Sequence, residues 1–300
     1  MSRQGWAWLF AGTTVLFWST VATACKLSLR YLDIFQLLFY ACLTSVVVLL
    51  LALSVRGELA GLIPAFRRHW RLTLIAGVLN PFMYYLILFK AYDLLPAQVA
   101  QPINYTWAIM LTIMSIVFLR QRITVTDVLA GLICYTGVVV IASQGDWSAF
   151  RLHDPLGVVL ALISTIIWAT YWLLNIRDPR EPTTALCLNF LAALPLTTAA
   201  CLIFSDPWNV SRWGLLGGAY VGLFEMGLAF LLWSRALKLS ENTSRVSNLI
   251  FLAPFLSLWF IHQILVETLY LTTWAGLVLI VAGLVLQQFG AHRSVTPVRE

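Results

Sequence analysis

The chain has 300 residues, of which 60% are hydrophobic and only 11% are charged, with a formal net charge of +6. A soluble protein of this length requires a more highly charged surface, so the composition excludes a soluble protein of one or two domains. The charged residues separate apolar runs of about 20 residues, the length that crosses the ~30 Å hydrocarbon core of a bilayer. We therefore predict an all-α polytopic membrane protein, whose basic residues mark loop topology and not a nucleic-acid partner.

The apolar runs predict ten transmembrane helices. In chain order they cover residues 5–26, 34–55, 72–92, 96–119, 125–144, 155–176, 183–204, 211–235, 241–263 and 269–290. The segments between them are rich in charged residues, Pro and Gly, and the longest is 56–71. None of these predicted loops is long enough to form a soluble domain.

The distribution of basic residues predicts the orientation of these spans. Ten spans place both termini on one side, and that side carries fourteen of the 19 Lys and Arg. Because basic loops remain in the cytoplasm, we predict a bacterial-type inner (plasma) membrane protein with both termini cytoplasmic. Six tryptophans at span ends are predicted to anchor the chain at the membrane interfaces: Trp6, Trp8, Trp70, Trp147, Trp208 and Trp213.

The two halves of the chain resemble each other. A shift of 150 residues aligns Trp18-Ser19-Thr20 with Trp168-Ala169-Thr170. A shift of 145 pairs Gly77 with Gly222, Asn80 with Glu225, Lys90-Ala91 with Arg235-Ala236, Gln98 with Thr243 and Gly131 with Gly276. We predict two five-helix repeats, 1–145 and 146–292, followed by a cytoplasmic tail, 293–300. An odd number of spans inverts one repeat relative to the other, which is typical of secondary transporters with a site near the midplane.

The most unusual stretch for a membrane protein is Asn80–Met110, two apolar segments joined by a short polar turn. It contains several amides and prolines, namely Asn80, Pro81, Gln101, Pro102 and Asn104. Such groups are costly in lipid, because hydrocarbon offers their polar atoms no partner. They are tolerated where a helix faces other helices or a watery cavity, so we predict that this hairpin lines a substrate pathway.

Two predicted spans place polar residues along one face. The fourth span has Ala97, Gln101, Asn104, Ala108, Thr112 and Ser115 at spacings of three and four, and the sixth has Ser164, Trp168, Tyr171 and Asn175. Hydrogen bonds between helices, worth about 1 kcal/mol each, explain such stripes equally. The aromatic residues beside them favour a ligand cavity. The predicted substrate-binding residues are Trp18, Asn80, Tyr84, Gln101, Asn104, Trp107, Trp168 and Tyr171.

Glu225 is the single acidic residue predicted to lie well inside a span. It shares a helical face with Gly214, Gly218 and Gly222, and this small-residue face is predicted to point into the bundle. An intramembrane carboxylate is a functional residue by default, so we predict that Glu225 exchanges a proton and couples it to transport. The alternative is a structural acid hydrogen-bonded to a neighbouring helix. Its counterpart in the first repeat is the neutral Asn80.

The turn Lys90-Ala91-Tyr92…Pro96-Ala97 and the Gly-spaced last helix of each five-helix unit resemble the EamA family of the drug/metabolite transporter (DMT) superfamily. In that family's pattern an acidic residue follows the fourth helix of each repeat. Glu267 fills the second of these positions, whereas Arg122 stands in the first. The resemblance implies a ten-helix inner-membrane exporter with a central cavity.

The run Asn104-Tyr105-Thr106-Trp107 also resembles the NYxWP stretch of YddG-type aromatic amino-acid exporters, although Ala108 replaces the final Pro. This resemblance implies an amino-acid cargo and outward transport. We therefore predict a secondary transporter that exports small metabolites, amino acids or related amphipathic solutes, by alternating access. No ATP-binding or hydrolase motif is present, so the sequence predicts a small-molecule substrate, no enzyme activity, no cofactor and no metal.

Three alternatives remain open at this point. Within transport, the chain fits a broad drug or solute efflux carrier, or an uptake carrier. A membrane-embedded lipid enzyme would need clustered acids or histidines, and this chain has only scattered ones. A non-transporting membrane subunit or sensor would need more surface for partners than the short predicted loops provide.

Overall fold

The computed structural model describes residues 2–119, 125–144, 154–240, 246 and 248–294, and every regular element within these ranges is helical. The α-helices are α1 (Arg3–Ser28), α2 (Ile34–Val55), α3 (Leu62–Gly77), α4 (Tyr84–Leu94), α5 (Ala97–Tyr105), α6 (Trp107–Leu119), α7 (Val125–Ala142), α8 (Pro155–Ile176), α9 (Pro182–Phe204), α10 (Arg212–Tyr220), α11 (Ala229–Leu239), α12 (Ala253–Phe260) and α13 (Leu271–Ser294). Segments of π-helix follow α3, α10 and α12, at Val78–Met83, Val221–Leu228 and Ile261–Leu265. Short 3₁₀ helices cover Leu59–Gly61 and Asn248–Leu252.

Polar residues in the loops start several of these helices. The Asp33 side chain accepts hydrogen bonds from the backbone N–H of Phe35 and Gln36, and the Gln36 side chain accepts the N–H of Asp33. This capping box satisfies donors that have no partner inside α2. Asp154 and Glu181 cap α8 and α9, each by accepting one backbone N–H, and each is followed by a proline. The starts of these helices are therefore set by local sequence.

Seven helical stretches in the described part of the chain are long and apolar enough to cross a membrane. They are Arg3–Ser28, Ile34–Val55, Leu59–Leu94, Val125–Ala142, Pro155–Ile176, Pro182–Phe204 and Arg212–Leu239. Two shorter apolar helices, Leu249–Leu265 and Leu271–Gln287, follow them. Large apolar side chains such as Val55 and Leu132 are exposed on the outside of the helix bundle. An apolar outer surface is suited to contact with lipid.

The structure differs from the predicted spans in two places. The predicted span 96–119 is broken at Thr106, where α5 ends and α6 begins, and the Thr106 hydroxyl donates to the carbonyl oxygen of Ile103 at 2.8 Å. The predicted loop 56–71 contains the 3₁₀ helix Leu59–Gly61 and the start of α3. The exposed, basic start of α3 has no long apolar run, so hydropathy alone does not detect it.

Several predictions fall outside the described residues. The predicted loop 120–124, which includes Arg122, lies outside them, as does most of the loop 145–154 with its predicted interfacial anchor Trp147. The predicted ninth span, 241–263, is described at residue 246 and again from residue 248 onward. Its described part is the 3₁₀ helix Asn248–Leu252, then α12 and the π-helical segment after it.

The helices pack in pairs that join distant parts of the chain. α7 packs along α13, α1 along α11, α4 along α8 and α2 along α9. At the crossing of α7 and α13, a Cβ added to Gly276 would lie 2.6 Å from the carbonyl oxygen of Gly137 and 2.5 Å from Ile141 Cγ1. Small residues let the two backbones touch, and such close packing stabilises helix pairs where lipid competes equally for apolar side chains.

Substituting Gly276 with valine should therefore destabilise the α7–α13 pair. The added methyl groups would collide with the backbone of Gly137, which moves only if the helix moves, so we expect a loss of about 1–3 kcal/mol of unfolding free energy. Thermal unfolding of the purified protein in detergent measures this effect. The matched control is Gly12→Val in α1, where an added Cβ meets nothing within 4 Å. An equal loss in both variants would contradict the prediction.

Candidate substrate cavity

A cavity of about 480 Å³ lies between α1, α4, α5, α6, α8, α11 and α13. The residues that line it are Trp18, Val21, Tyr84, Leu88, Tyr92, Gln101, Asn104, Tyr105, Trp107, Ala108, Leu111, Thr112, Trp168, Trp172, Glu225, Phe230, Trp233, Ile250, Phe251, Leu284 and Gln287. They come from both halves of the chain and are mostly aromatic or aliphatic, with a few amide and hydroxyl groups. This size and this composition are typical of a site for a small organic molecule.

Trp168 is at the centre of the aromatic wall. Its ring stacks on Tyr84 with the ring centroids 4.5 Å apart, and it meets Trp107 and Phe230 edge-on at 6.4 and 6.0 Å. Trp172, one helical turn further along α8, lies 6.0 Å from Trp168 and stacks on Trp107 at 6.3 Å. Each ring is held by its neighbours in an arrangement that aromatic pairs favour, so the wall is preorganised.

Glu225 is the one carboxylate in the described part of the cavity wall. It lies in the π-helical segment Val221–Leu228, and such segments occur frequently at functional sites. Its Oε1 accepts a hydrogen bond from the Tyr85 hydroxyl at 3.2 Å, while its Oε2 is buried and has no partner among the described residues. A buried carboxylate oxygen without a partner requires a proton or a cationic ligand.

The predicted helical face that Glu225 shares with three glycines has two different neighbours in the structure. A Cβ added to Gly218 would meet Tyr40, and one added to Gly222 would meet Thr44, so the glycines pack against α2. Glu225 instead reaches Tyr85 on α4 and the cavity. Because it lies three residues after Gly222 in a widened π-helical turn, the carboxylate is free of the tightly packed glycine face.

Two amide side chains in the wall have partners within the protein. The Asn104 amide donates to Ser164 Oγ at 2.9 Å, and its oxygen accepts from the Tyr84 hydroxyl at 3.3 Å. The Gln101 oxygen accepts from the Tyr92 hydroxyl. These bonds tie α4, α5 and α8 together, so Asn104 and Gln101 link helices and also line the cavity.

Of the nine predicted site residues, the structure brings seven together in this wall. They are Trp18, Tyr84, Gln101, Asn104, Trp107, Trp168 and Glu225. Tyr171 packs its ring 5.7 Å from Trp168 and lines a neighbouring cavity of about 260 Å³. Asn80 is fully buried beside Pro81, away from the wall, and its amide atoms have no partner in the described part of the chain. Ser115, the last member of the predicted stripe, has a side chain outside the described set.

Sequence reasoning missed several aromatic residues of the wall. Trp172 is four residues after Trp168, so helical spacing alone places it on the same face. Trp18 meets Phe230 at 6.0 Å and Trp233 at 5.4 Å, which extends the wall across α1 and α11. Trp233 aligns with Leu88 under the shift of 145, and both line the cavity. Because Leu88 is an ordinary apolar residue of a predicted span, the repeat gave no signal for Trp233.

Two charged side chains clamp the α4–α5 turn at one end of the helices. Lys26 donates to the carbonyl oxygens of Tyr92 and Leu95 at 2.7 and 2.9 Å. Glu267 accepts the backbone N–H of Ala97 at 3.0 Å and of Gln98 at 3.2 Å. A cation at the carboxyl end of α4 and an anion at the amino end of α5 both match the helix dipoles. The turn is therefore held in a fixed position at this end of the helices.

Substituting Glu267 with alanine should loosen this clamp, because two charge-assisted hydrogen bonds are lost. We expect a cysteine placed at Leu88, in the cavity, to react with a membrane-impermeant maleimide about tenfold faster or more from the side of Lys26. The measurement uses oriented vesicles and a chain whose five native cysteines are alanine. Asp93→Asn is the control, because it removes a carboxylate at the same end, where Asp93 forms an exposed ion pair with Lys90, and keeps the backbone hydrogen bonds of the clamp. An unchanged rate would contradict the role of the clamp.

The opposite end of the helices is joined by a different set of charges. Lys238 and Arg56 lie 3.7 and 3.9 Å from Glu181, and Arg3 donates to the carbonyl oxygen of Lys238 at 3.1 Å. The smaller cavity of about 260 Å³ shares its Trp172, Phe230 and Trp233 wall with the main cavity. It extends to the buried ion pair of Asp178 and Arg180, 2.6 Å apart. Aromatic rings thus separate the two cavities.

A bundle of long apolar helices around an internal cavity is the architecture expected of a membrane transport protein. The model of the EamA-like transporter family matches this chain twice, at residues 5–143 and 155–287. The chain therefore belongs to the EamA family of the drug/metabolite transporter superfamily, and it is a multi-pass membrane transporter. The predicted class of protein and the predicted family are confirmed.

Several transporters are similar to this chain over most of its length. An uncharacterized transporter of Archaeoglobus fulgidus is 26% identical over 286 residues, covering 92% of this chain and 96% of that protein. The uncharacterized inner membrane transporter YhbE of Escherichia coli is 22% identical, covering 84% and 79%. A solved crystal structure superposes with a TM-score of 0.70 at 23% identity, over 97% of this chain and 99% of the other, so the two share a fold.

Proposed function

We propose that this transporter exports small metabolites, amino acids or related amphipathic solutes, by alternating access. The observation that carries the proposal is the cavity, an aromatic wall with one carboxylate and a few neutral hydrogen-bond donors. The ammonium group of such a solute would bind Glu225, and its apolar part would pack against the rings. The buried N–H groups of Trp172 and Gln287 have no acceptor among the described residues and suit an oxygen of the solute.

The outward direction and the amino-acid cargo rest on the resemblance to YddG-type exporters. In the run Asn104-Tyr105-Thr106-Trp107 that carries it, Asn104, Tyr105 and Trp107 all line the cavity. A motif whose side chains face the ligand space would be expected to take part in substrate recognition. This placement supports the proposal, as does the aromatic character of the wall.

We infer an architecture of ten spans in two inverted repeats, residues 1–145 and 146–292, with both termini cytoplasmic. The family model matches once in each of these halves. Helices that correspond in the two repeats pack on corresponding partners. α4 corresponds to α11 and α8 to α1, and α4 packs on α8 just as α11 packs on α1. The aligned residues Asn80 and Glu225 both lie in π-helical segments. Gly77 approaches α9 while its counterpart Gly222 approaches α2.

Alternating access would use the two charged ends of the bundle. On the predicted orientation, the clamp of Lys26 and Glu267 lies outside, and the cluster around Glu181 lies in the cytoplasm. Export then requires the outer clamp to open while the cytoplasmic end closes. Proton binding at Glu225, between the two ends, would couple this exchange to the proton gradient.

Counterflow into liposomes tests the proposal. Liposomes containing the purified protein are loaded with one unlabelled amino acid, and the labelled form is added outside. We expect labelled amino acid to accumulate transiently above the level in protein-free liposomes, because exchange through one carrier needs no energy source. The absence of such accumulation for every tested amino acid and every tested amphipathic amine would contradict the proposal. The apolar wall favours broad drug efflux as a second candidate, which the same assay identifies if only drugs exchange.

A further inference from the structure

The only charged group in the described wall of the cavity is acidic. The described wall contains the carboxylate of Glu225 and no Lys, Arg or His. Two basic side chains nearer the ends of the helices are engaged elsewhere, because Lys26 binds backbone carbonyls of the α4–α5 turn and Arg180 pairs with Asp178. A positive group on a solute would meet Glu225, whereas a carboxylate would enter without a counter-charge and lose its hydration.

Aromatic rings continue directly from this carboxylate. Tyr85, which donates to Glu225, packs against Tyr84 with ring centroids 4.8 Å apart, and Tyr84 stacks on Trp168. Trp168 in turn meets Phe230, five residues after Glu225 in the chain. The negative face of an aromatic ring attracts a cation, and the attraction is greatest where water is excluded. A carboxylate beside a cluster of rings is an arrangement that recognises ammonium groups.

The wall atoms that lack a hydrogen-bond partner also favour a cationic ligand over an anionic one. Both atoms of the Asn104 amide bind protein partners, and the Gln101 oxygen accepts from the Tyr92 hydroxyl. The buried atoms without partners in the described part of the wall are Glu225 Oε2 and the N–H groups of Trp172 and Gln287. Neutral N–H groups suit a hydroxyl or carbonyl oxygen. They do not supply the positive charge that a buried carboxylate requires.

We propose that this cavity selects organic cations that carry an ammonium group and no carboxylate, such as aromatic amines, over zwitterionic amino acids. The inference rests on the proposed function, since it places the transported solute in the same cavity, and it narrows the class of that solute. The ammonium group lies between Glu225 and the neighbouring rings, and the apolar part of the solute extends along Trp168 toward Trp172.

Three ligands of one shape test this selection on the unaltered protein. Tyramine has the ammonium group alone, tyrosine adds a carboxylate, and 4-ethylphenol has neither. At neutral pH, calorimetry on the purified protein should give tyramine a Kd about tenfold or more below those of the other two. The Glu225→Gln variant should remove this preference. Tyrosine or 4-ethylphenol binding as tightly as tyramine would overturn the proposal, as would undetectable tyramine binding at millimolar concentrations.

Counterflow of the same compounds separates this inference from the proposed function. If tyramine binds preferentially but no compound exchanges, the selection stands and the transport proposal fails. If tyrosine exchanges while tyramine neither binds nor exchanges, amino-acid export stands and the selection of cations is overturned.

Discussion

Replacing Glu225 with glutamine should reduce proton-driven transport about 100-fold and remove its dependence on pH. The amide has the same shape and still accepts a hydrogen bond from Tyr85, but it cannot bind or release a proton. Transport would then no longer draw on the proton gradient, because no other carboxylate lines the described part of the cavity. The measurement is accumulation of a counterflow-positive solute in liposomes with an imposed pH gradient, at several values of pH.

The control for this substitution is a carboxylate that does not line the cavity. Glu58 is exposed and lies 3.9 Å from Arg56, so Glu58→Gln should keep the transport rate within about twofold. Glu225→Asp keeps an ionisable group and should restore part of the pH dependence. If Glu225→Gln transports at the unaltered rate with the same pH profile, proton coupling at this residue is wrong, and Glu225 is a structural acid.

Replacing Trp168 with alanine should raise the substrate concentration for half-maximal transport about tenfold to 100-fold. Trp168 contacts the rings of Tyr84, Trp107, Tyr171, Trp172 and Phe230. Its removal deletes the central surface of the wall and frees its neighbours to change rotamer. The effect is measured as the concentration dependence of counterflow, with size-exclusion chromatography to confirm that the variant remains folded.

Two further tryptophan variants show whether the effect belongs to the cavity. Trp168→Phe retains a ring at the same place and should lose less than about tenfold, since part of the aromatic surface remains. Trp259 is 55% exposed on the outside of α12, and Trp259→Ala should leave the half-maximal concentration unchanged. If Trp168→Ala folds and transports like the unaltered protein, Trp168 packs the core and does not bind substrate.

Local signals in the sequence were sufficient for the class of protein and for most of its helices. An apolar run of about 20 residues is read directly from the chain, because each span must satisfy its own backbone hydrogen bonds in lipid. The same reasoning singled out Glu225, Gln101 and Asn104, since polar groups in such runs are costly unless they face an interior. The structure places all three in the wall of one cavity. Their roles in binding and coupling remain predictions.

Other features depended on which helix faces which. Asn80 was expected beside the substrate for the same reason as Glu225, but it is buried away from the wall. Tyr171 follows Trp168 by three residues, yet the rings of Trp172 and Phe230 separate its cavity from the main one. The break at Thr106 was hidden because both halves of the span 96–119 are apolar. None of these three features could be predicted from the sequence of one span, because each depends on how several helices pack together.

The sequence by itself therefore determined that this chain is a helical membrane transporter and which long apolar segments it contains, and it singled out polar side chains that meet in one cavity. The transfer of each span into hydrocarbon depends on composition and length alone. Only the tertiary structure decided which face of each helix borders the cavity. That choice follows from close contacts between distant segments, such as Gly137 with Gly276 and Gly222 with α2, where the absence of a side chain lets two backbones meet.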